Sequence, residues 1–249
     1  MSEKKTFEYK DIDDEGLETL SVISKADNFN RWMYETIKPH CSGKILEIGS
    51  GVGNISSFFI NDGFDIFLTD IRDNYCDILK DKYSTRKNLI GVQNVDLIDL
   101  NFDDNNADLL EAFDTVFALN VVEHIEDDCL AIANCKKMLK PGGNLIILVP
   151  AYQTLYNQFD KELYHYKRYL SKEIVSLFNS NNLITLKSFY FNALGIASWF
   201  VSGKLAKKKT IPSSQMGFYN KIIFLAKIID FFLMKKIGLS AIIIGKKQI

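Results

Sequence analysis

Between residues 44 and 150 the chain alternates short apolar runs with segments of helical period. This alternation limits the possible folds more than any other feature. KILEIG (44–49), FDIFLTD (64–70), LIGVQNVD (89–96), FDTVFALNV (113–121) and NLIILVP (144–150) are apolar over most of their length. A strand with one face in water alternates polar and apolar residues, whereas a near-continuous apolar strand is buried on both faces. Helical segments at Asn54–Asn61, Asn74–Lys82 and Asp127–Leu139 separate these strands, and KPGG closes the last helix. A helix with Phe29, Trp32, Met33 and Ile37 on one face is expected over Asn28–Pro39. Ser171 is placed to cap a helix over Lys172–Ser180, with Glu173 in its first turn. ITLKSFYF (184–191) and LSAIIIGKK (239–247) supply two final strands. The expected class is α/β: a doubly wound, Rossmann-like, seven-stranded sheet with helices on both faces.

The 249 residues, 47% hydrophobic and 24% charged, suit one globular domain spanning 1–249. Residues 1–27 read as a polar, acid-rich arm rather than a signal peptide, and 28–151 as the ligand-binding core. Residues 152–183 follow as a loop and helix, and 192–238 as an apolar, basic insertion between the last two strands. The net charge of −1 hides an asymmetry: Trp199 to Ile249 holds ten lysines and one acid, a net of +9, so the first 198 residues carry −10. Four cysteines without CxxC spacing argue against disulfides and zinc, no metal is expected, and a reducing cytosol fits. FYNKIIFLAKIIDFFLMKKIG (218–238) is the most apolar stretch, but Lys221, Lys227 and Asp230 interrupt it, which argues against a membrane-spanning helix.

In an open α/β sheet ligands bind beyond the carboxyl ends of the strands. Those ends fall here at Glu47 to Gly53, Asp70, Asp96, Asn120 to His124 and Pro150 onward, and each is polar or glycine-rich. The first loop, Gly49-Ser50-Gly51-Val52-Gly53-Asn54, has GxGxG spacing. The dinucleotide fingerprint GxGxxG would need its third glycine where Asn54 stands. Glu47, just before the loop, repels a phosphate and suits a cationic group. Asp70, 21 residues after Gly49, is placed to accept from a ribose diol or to cap the helix that starts near Arg72. Asp96, with Asp99 as the alternative, can accept from an adenine amino group.

LEIGSGVGN, the acid after IFLT, Asp96, FDTVFALNVVEHI and LKPGGNLIILVP together resemble the class I S-adenosylmethionine-dependent methyltransferases over roughly Asn28 to Ala151. The resemblance implies S-adenosyl-L-methionine as cofactor. The loop Gly49, Ser50, Gly51, Gly53 and Asn54 would pack against its methionine part. Asp70, with Ile71 beside it, would hold the ribose, and Asp96 with Leu97 the adenine. Asn120 and Val121 would border the sulfonium. It also implies an antiparallel last strand, with 192–238 inserted near the acceptor mouth. VPAYQTLYNQFDKELYHYKRYLSKEI (149–174) resembles a bacterial subgroup with a histidine–tyrosine–basic–arginine–tyrosine motif after the fifth strand, whose members often accompany glycosyltransferases.

Methyl transfer from a sulfonium is an in-line displacement in which positioning and exclusion of water matter most, with a base required for a hydroxyl acceptor. His124 and His165 are the candidate bases; His40 precedes the first strand, on the opposite edge of the sheet. Each has a structural alternative, as a loop-organising group for His124 and as part of a tyrosine-held lid for His165. Arg168 is a candidate clamp for an acceptor phosphate or carboxylate, or else an ion-pair partner of Asp160 or Glu162. Tyr152, Tyr164, Tyr166 and Tyr169 are candidates to line an acceptor pocket or simply to pack. The lysine-rich apolar stretch 199–236 allows peripheral contact with anionic lipid at the inner membrane face, or a helix that covers the sheet edge or forms a dimer contact. The sequence reading is a cytoplasmic methyltransferase acting at oxygen, or nitrogen, of a small-molecule, sugar- or lipid-linked acceptor, with no nucleic-acid partner. Its rivals are an NAD-dependent oxidoreductase and a non-catalytic protein that binds the same cofactor.

Overall fold

The computed structural model describes residues 20–201 and 213–249. Most of the expected arm (1–19) and the lysines at 204 and 207–209 lie outside the described residues. Seven strands form one sheet in the order β3-β2-β1-β4-β5-β7-β6. They are β1 (Ile45–Ile48), β2 (Ile66–Asp70), β3 (Leu89–Asn94), β4 (Phe113–Leu119), β5 (Leu139–Pro150), β6 (Leu183–Phe191) and β7 (Ser240–Lys247). β1 pairs in parallel with β2 and β4, and β4 in parallel with β5. β7 runs antiparallel to both of its neighbours, β5 and β6.

Consecutive residues of the central strands feed two different cores, which explains their unbroken apolarity. Leu46, Val116, Leu145, Ile147 and Ile243 join one cluster, beneath α5 (Asp128–Met138) and α7 (Ser171–Ser180). Ile45, Phe117, Ile146, Leu148 and Ile242 join the other, which is covered by α1 (Asp27–Ile37), α2 (Ser56–Asn61) and α3 (Asp73–Tyr83). Short helices α4 (Phe102–Asn105) and α6 (Gln158–Glu162) sit in the connections. Between β6 and β7 lie α8 (Ala193–Trp199), α9 (Ser213–Lys221) and α10 (Ile223–Phe232).

Two element boundaries depart from the sequence reading. KPGG does not end α5 as a turn, because β5 begins at Leu139, directly after the helix. Leu139 pairs with Phe113, and pairing then jumps to Asn144 opposite Thr115. Pro141 has no N–H to donate and Gly142 adopts φ +78°, so the four intervening residues bulge out and the strand resumes. Ser171 is not the cap of α7 but its first residue. Glu173 Oε2 accepts the Leu170 N–H at 2.5 Å, while the Ser171 hydroxyl hydrogen-bonds that of Ser188.

Candidate active site

The carboxyl ends of β1, β2, β4 and β5 open onto a cavity of about 490 Å³. At one end the chain leaves β1 through the glycine loop. Gly49 has φ +69°, and a Cβ there would stand 2.5 Å from Val121 Cγ2; Gly53 has φ +79°, and a Cβ would meet the Tyr83 hydroxyl at 2.7 Å. Only glycine satisfies both the backbone and the packing at these positions. The loop is therefore clamped between the end of β4 and α3.

Asp70 holds the loop from the next strand. Its Oδ2 accepts the Gly51 N–H at 2.8 Å and its Oδ1 accepts the Arg72 N–H at 3.1 Å. Both roles weighed for it from the sequence use the same carboxylate. One organises the backbone, and the unused lone pairs remain for a ribose diol. Burial raises its pKa above the usual carboxylate range, against the pull of these N–H donors.

Glu47 lies under the loop, 4% exposed. The Ser56 hydroxyl donates to Oε2. Burial pushes its pKa up to about 8, against that hydrogen bond. The carboxyl is thus poised between neutral and anionic rather than fixed as an anion, and an adjacent cation would ionise it. Asp96 accepts the Ile98 N–H at 2.9 Å and borders the cavity with Leu97.

Asn120 closes the far side with φ +55°, in the left-handed region. The 3₁₀ turn Val122–His124 follows and turns Glu123 and His124 to the other end of the cavity. His165 meets them there, its ring centroid 4.7 Å from that of His124. Asp160 anchors this end: Oδ1 lies 2.9 Å from His165 Nδ1 and accepts Arg168 Nε–H at 2.8 Å, while Oδ2 accepts the Asn157 N–H at 2.9 Å. The Arg168 guanidinium also donates to the Ala151 carbonyl at 3.1 Å and stacks 4.5 Å from the Trp199 ring. Enclosure, and then the neighbouring His165, push the His124 pKa down to about 3. Burial pushes that of Glu123 up to about 8.

Of the expected cofactor residues, Glu47, Gly49, Ser50, Gly51, Asn54, Asp70, Ile71, Asp96, Leu97, Asn120 and Val121 all line this one cavity. Gly53 shapes the loop instead, its carbonyl accepting from the Tyr83 hydroxyl at 2.9 Å. Both candidate bases line the cavity, as does Arg168, although its guanidinium is held in the ion pair with Asp160. The expected acceptor tyrosines are placed differently. Tyr169 is buried with its hydroxyl 3.0 Å from Asp128 Oδ2, Tyr152 stacks on Tyr190, and Tyr166 is 40% exposed at the surface. Of the four tyrosines considered, the cavity wall takes Tyr164. Each of the other three has packing or solvent that the sequence could not reveal.

The structure adds residues that the sequence did not single out. Leu20 packs over Gly51 of the glycine loop and lines the cavity with Ile23, and Asn192, Trp199 and Tyr219 bring the insertion to it. Glu123 carried a local signal, an acid within the apolar VVEHI, but its solitude shows only in three dimensions.

Fold and cavity together define a Rossmann-like α/β protein with a ligand-sized cavity at the carboxyl edge of its sheet. More particularly, residues 46–147 match the family model described as a methyltransferase domain. Among curated relatives, the ubiquinone biosynthesis O-methyltransferase of Coxiella burnetii is 26% identical over 120 residues, 48% of this chain and 47% of that protein. The ubiquinone/menaquinone biosynthesis C-methyltransferase UbiE of Idiomarina loihiensis is 30% identical over 127 residues, 47% of each. The chain thus spans about half the length of the curated relatives it matches. A solved Haemonchus contortus phosphoethanolamine N-methyltransferase 2 in complex with S-adenosyl-L-methionine superposes with a TM-score of 0.56 at 16% identity, covering 89% of this chain and 53% of that one.

Proposed function

We propose that this chain transfers a methyl group from S-adenosylmethionine to a hydroxyl of a small-molecule, sugar- or lipid-linked acceptor. The observation that carries the reading is the continuity of one cavity, from the glycine loop and its acids to His124 and His165. Its volume of about 490 Å³ suits a ligand of this size. Beside the glycine loop, Glu47, Asp70 and Asp96 line it against one guanidinium, Arg72, which favours a cationic ligand over a pyrophosphate.

Bound here, the cofactor supplies an electrophilic methyl on a sulfonium. The chain's own residues do the rest. Glu47 would face its ammonium end, Asp70 the ribose and Asp96 the adenine. Trp199, Tyr219, Leu20 and Ile23 line the cavity with apolar and aromatic surface, which would limit competing water at the methyl. Asp160 fixes Nδ1 of His165, and Nε2 of the same ring is left to take the acceptor's proton. The matched proteins carry O-, C- and N-methyltransferase names, so oxygen as the acceptor atom rests on this Asp160–His165 pair rather than on them.

The same proposal includes peripheral contact with an anionic membrane through the helices between β6 and β7. Phe224, Phe231, Phe232 and Met234 are each at least 65% exposed, and Lys221, Lys227, Lys235 and Lys236 lie on the same segment. Among the described residues no helix is long and apolar enough to cross a membrane.

Isothermal titration of the full chain with S-adenosylhomocysteine and, separately, NADH tests the cofactor. Saturable binding of the first alone is expected. Binding of NADH without S-adenosylhomocysteine overturns the proposal in favour of an oxidoreductase.

A further inference from the structure

Glu123 is completely buried, and neither of its carboxylate oxygens has a hydrogen-bond partner among the described residues. An unpartnered carboxylate in a protein interior is costly, and such groups are normally paired or bound to a metal. Arg168 contributes to its surroundings but is held by Asp160 and the Ala151 carbonyl. What Glu123 faces are two imidazoles. Its Oε1 lies 4.0 Å from His165 Nε2, too far for a hydrogen bond, and one ligand atom each from Glu123, His124 and His165 fall within 4.8 Å of one another.

We infer that Glu123, His124 and His165 form a binding site for a first-row divalent cation at the acceptor end of the cavity. The donor set, two imidazole nitrogens and one carboxylate, suits ions of the Mn²⁺ to Zn²⁺ series and leaves coordination positions open. All three side chains line the cavity, so those positions face the space where the acceptor binds. Asp160 supplies a supporting contact that metal-ligating histidines generally have, a carboxylate on the other ring nitrogen that turns Nε2 toward the site. Bonds of about 2.1 Å in a tetrahedral shell place ligand atoms roughly 3.4 Å apart, so rotation of the side chains closes the site.

The cation's use for an acceptor bearing hydroxyl groups rests on the methyl-transfer reading; its binding does not. An acceptor oxygen completes the coordination shell, and vicinal hydroxyls would do so with two bonds. Ligation and proton acceptance compete for Nε2 of His165, so with the cation bound that nitrogen is a ligand and not a base.

Co²⁺ is the probe, read by its visible ligand-field absorption and by calorimetry on the full chain. One saturable site per chain is expected. Glu123→Gln keeps the shape of the side chain and should weaken Co²⁺ at least about 100-fold while leaving S-adenosylhomocysteine affinity within about threefold. Asp160→Asn, acting through the orientation of His165, should weaken Co²⁺ about 10–100-fold. No saturable Co²⁺ binding, or binding that Glu123→Gln leaves unchanged, overturns the inference and leaves Glu123 a buried protonated acid. Co²⁺ binding without S-adenosylhomocysteine binding upholds the cation site and rejects the cofactor instead.

Discussion

At the scale of single residues, the site is built around buried acids with different obligations. Asp70 has two backbone donors already, so its removal frees the Gly51 N–H as well as any ribose contact. Loss of a buried acceptor of this kind costs about 1–3 kcal/mol. Asp70→Ala should accordingly weaken S-adenosylhomocysteine by roughly 10–100-fold in calorimetry; an unchanged Kd would remove the ribose role. Glu47 makes a pH prediction. Its folded pKa, about 8, lies above the ordinary 4.5 of an exposed glutamate. The stability that the protonated form contributes is full below pH 4.5 and is lost as pH rises through 8. In the ligand-free protein, Glu47→Gln should raise Tm relative to the parent at about pH 8.5 and much less at about pH 5. Equal shifts at both would show that Glu47 does not titrate in that window. The same residue predicts that cofactor binding near neutrality releases a proton, seen as a dependence of the heat on buffer ionisation enthalpy that Glu47→Gln removes. Sequence made Glu47 and Asp70 visible because both sit at fixed offsets from the glycine loop. It named Asp160 only as a rival partner for Arg168, and its second contact, with His165, depends on how α6 and the following loop fold back on each other.

Among secondary-structure elements, the strands were legible because burial on both faces leaves an unmistakable apolar run, and β1 to β5 appear where the alternation puts them. Boundaries set by backbone bonding were less so. The bulge in β5 and the Glu173 contact to the Leu170 N–H depend on which neighbour offers a partner, and local composition does not record that. Asp230 illustrates the same point. In the sequence it is the one acid of a basic, apolar tail. In the fold it is 2% exposed and accepts the Asn192 and Ala193 N–H groups at 2.7 and 2.8 Å, the open amino end of α8. It thereby pins α10 to the end of β6, with Asn192 bridging to Tyr219 on α9. Asp230→Ala leaves buried donors unpaired and should cost about 1–3 kcal/mol. The expected result is a lower Tm together with faster proteolysis between α8 and α10, and S-adenosylhomocysteine binding should fall because Asn192, Trp199 and Tyr219 wall the cavity. A variant as protease-resistant as the parent would show that the segment docks by other means.

For the whole molecule, the charge asymmetry and the exposed aromatics fall on the same stretch of chain. α10 buries Ile223, Ala226 and Asp230 and turns Phe224, Phe231 and Phe232 outward. Exposed apolar groups so concentrated mark an interaction surface, and flanking lysines favour an anionic one. Burying one such phenylalanine in a lipid interface contributes about 1.5–3 kcal/mol, so Phe231→Ser with Phe232→Ser should lower the fraction that co-sediments with phosphatidylglycerol-rich vesicles at least about tenfold. Raised salt should weaken binding of the parent as well, because lysine attraction is screened over roughly 10 Å at 0.1 M. The rival is a second copy of the chain on the same face. Sedimentation velocity separates the two: a dimer that the double substitution dissociates, with no vesicle binding by either protein, would assign the aromatics to self-association. If instead the parent binds vesicles as a monomer and the double substitution abolishes that binding, the aromatics of α10 are assigned to a bilayer contact.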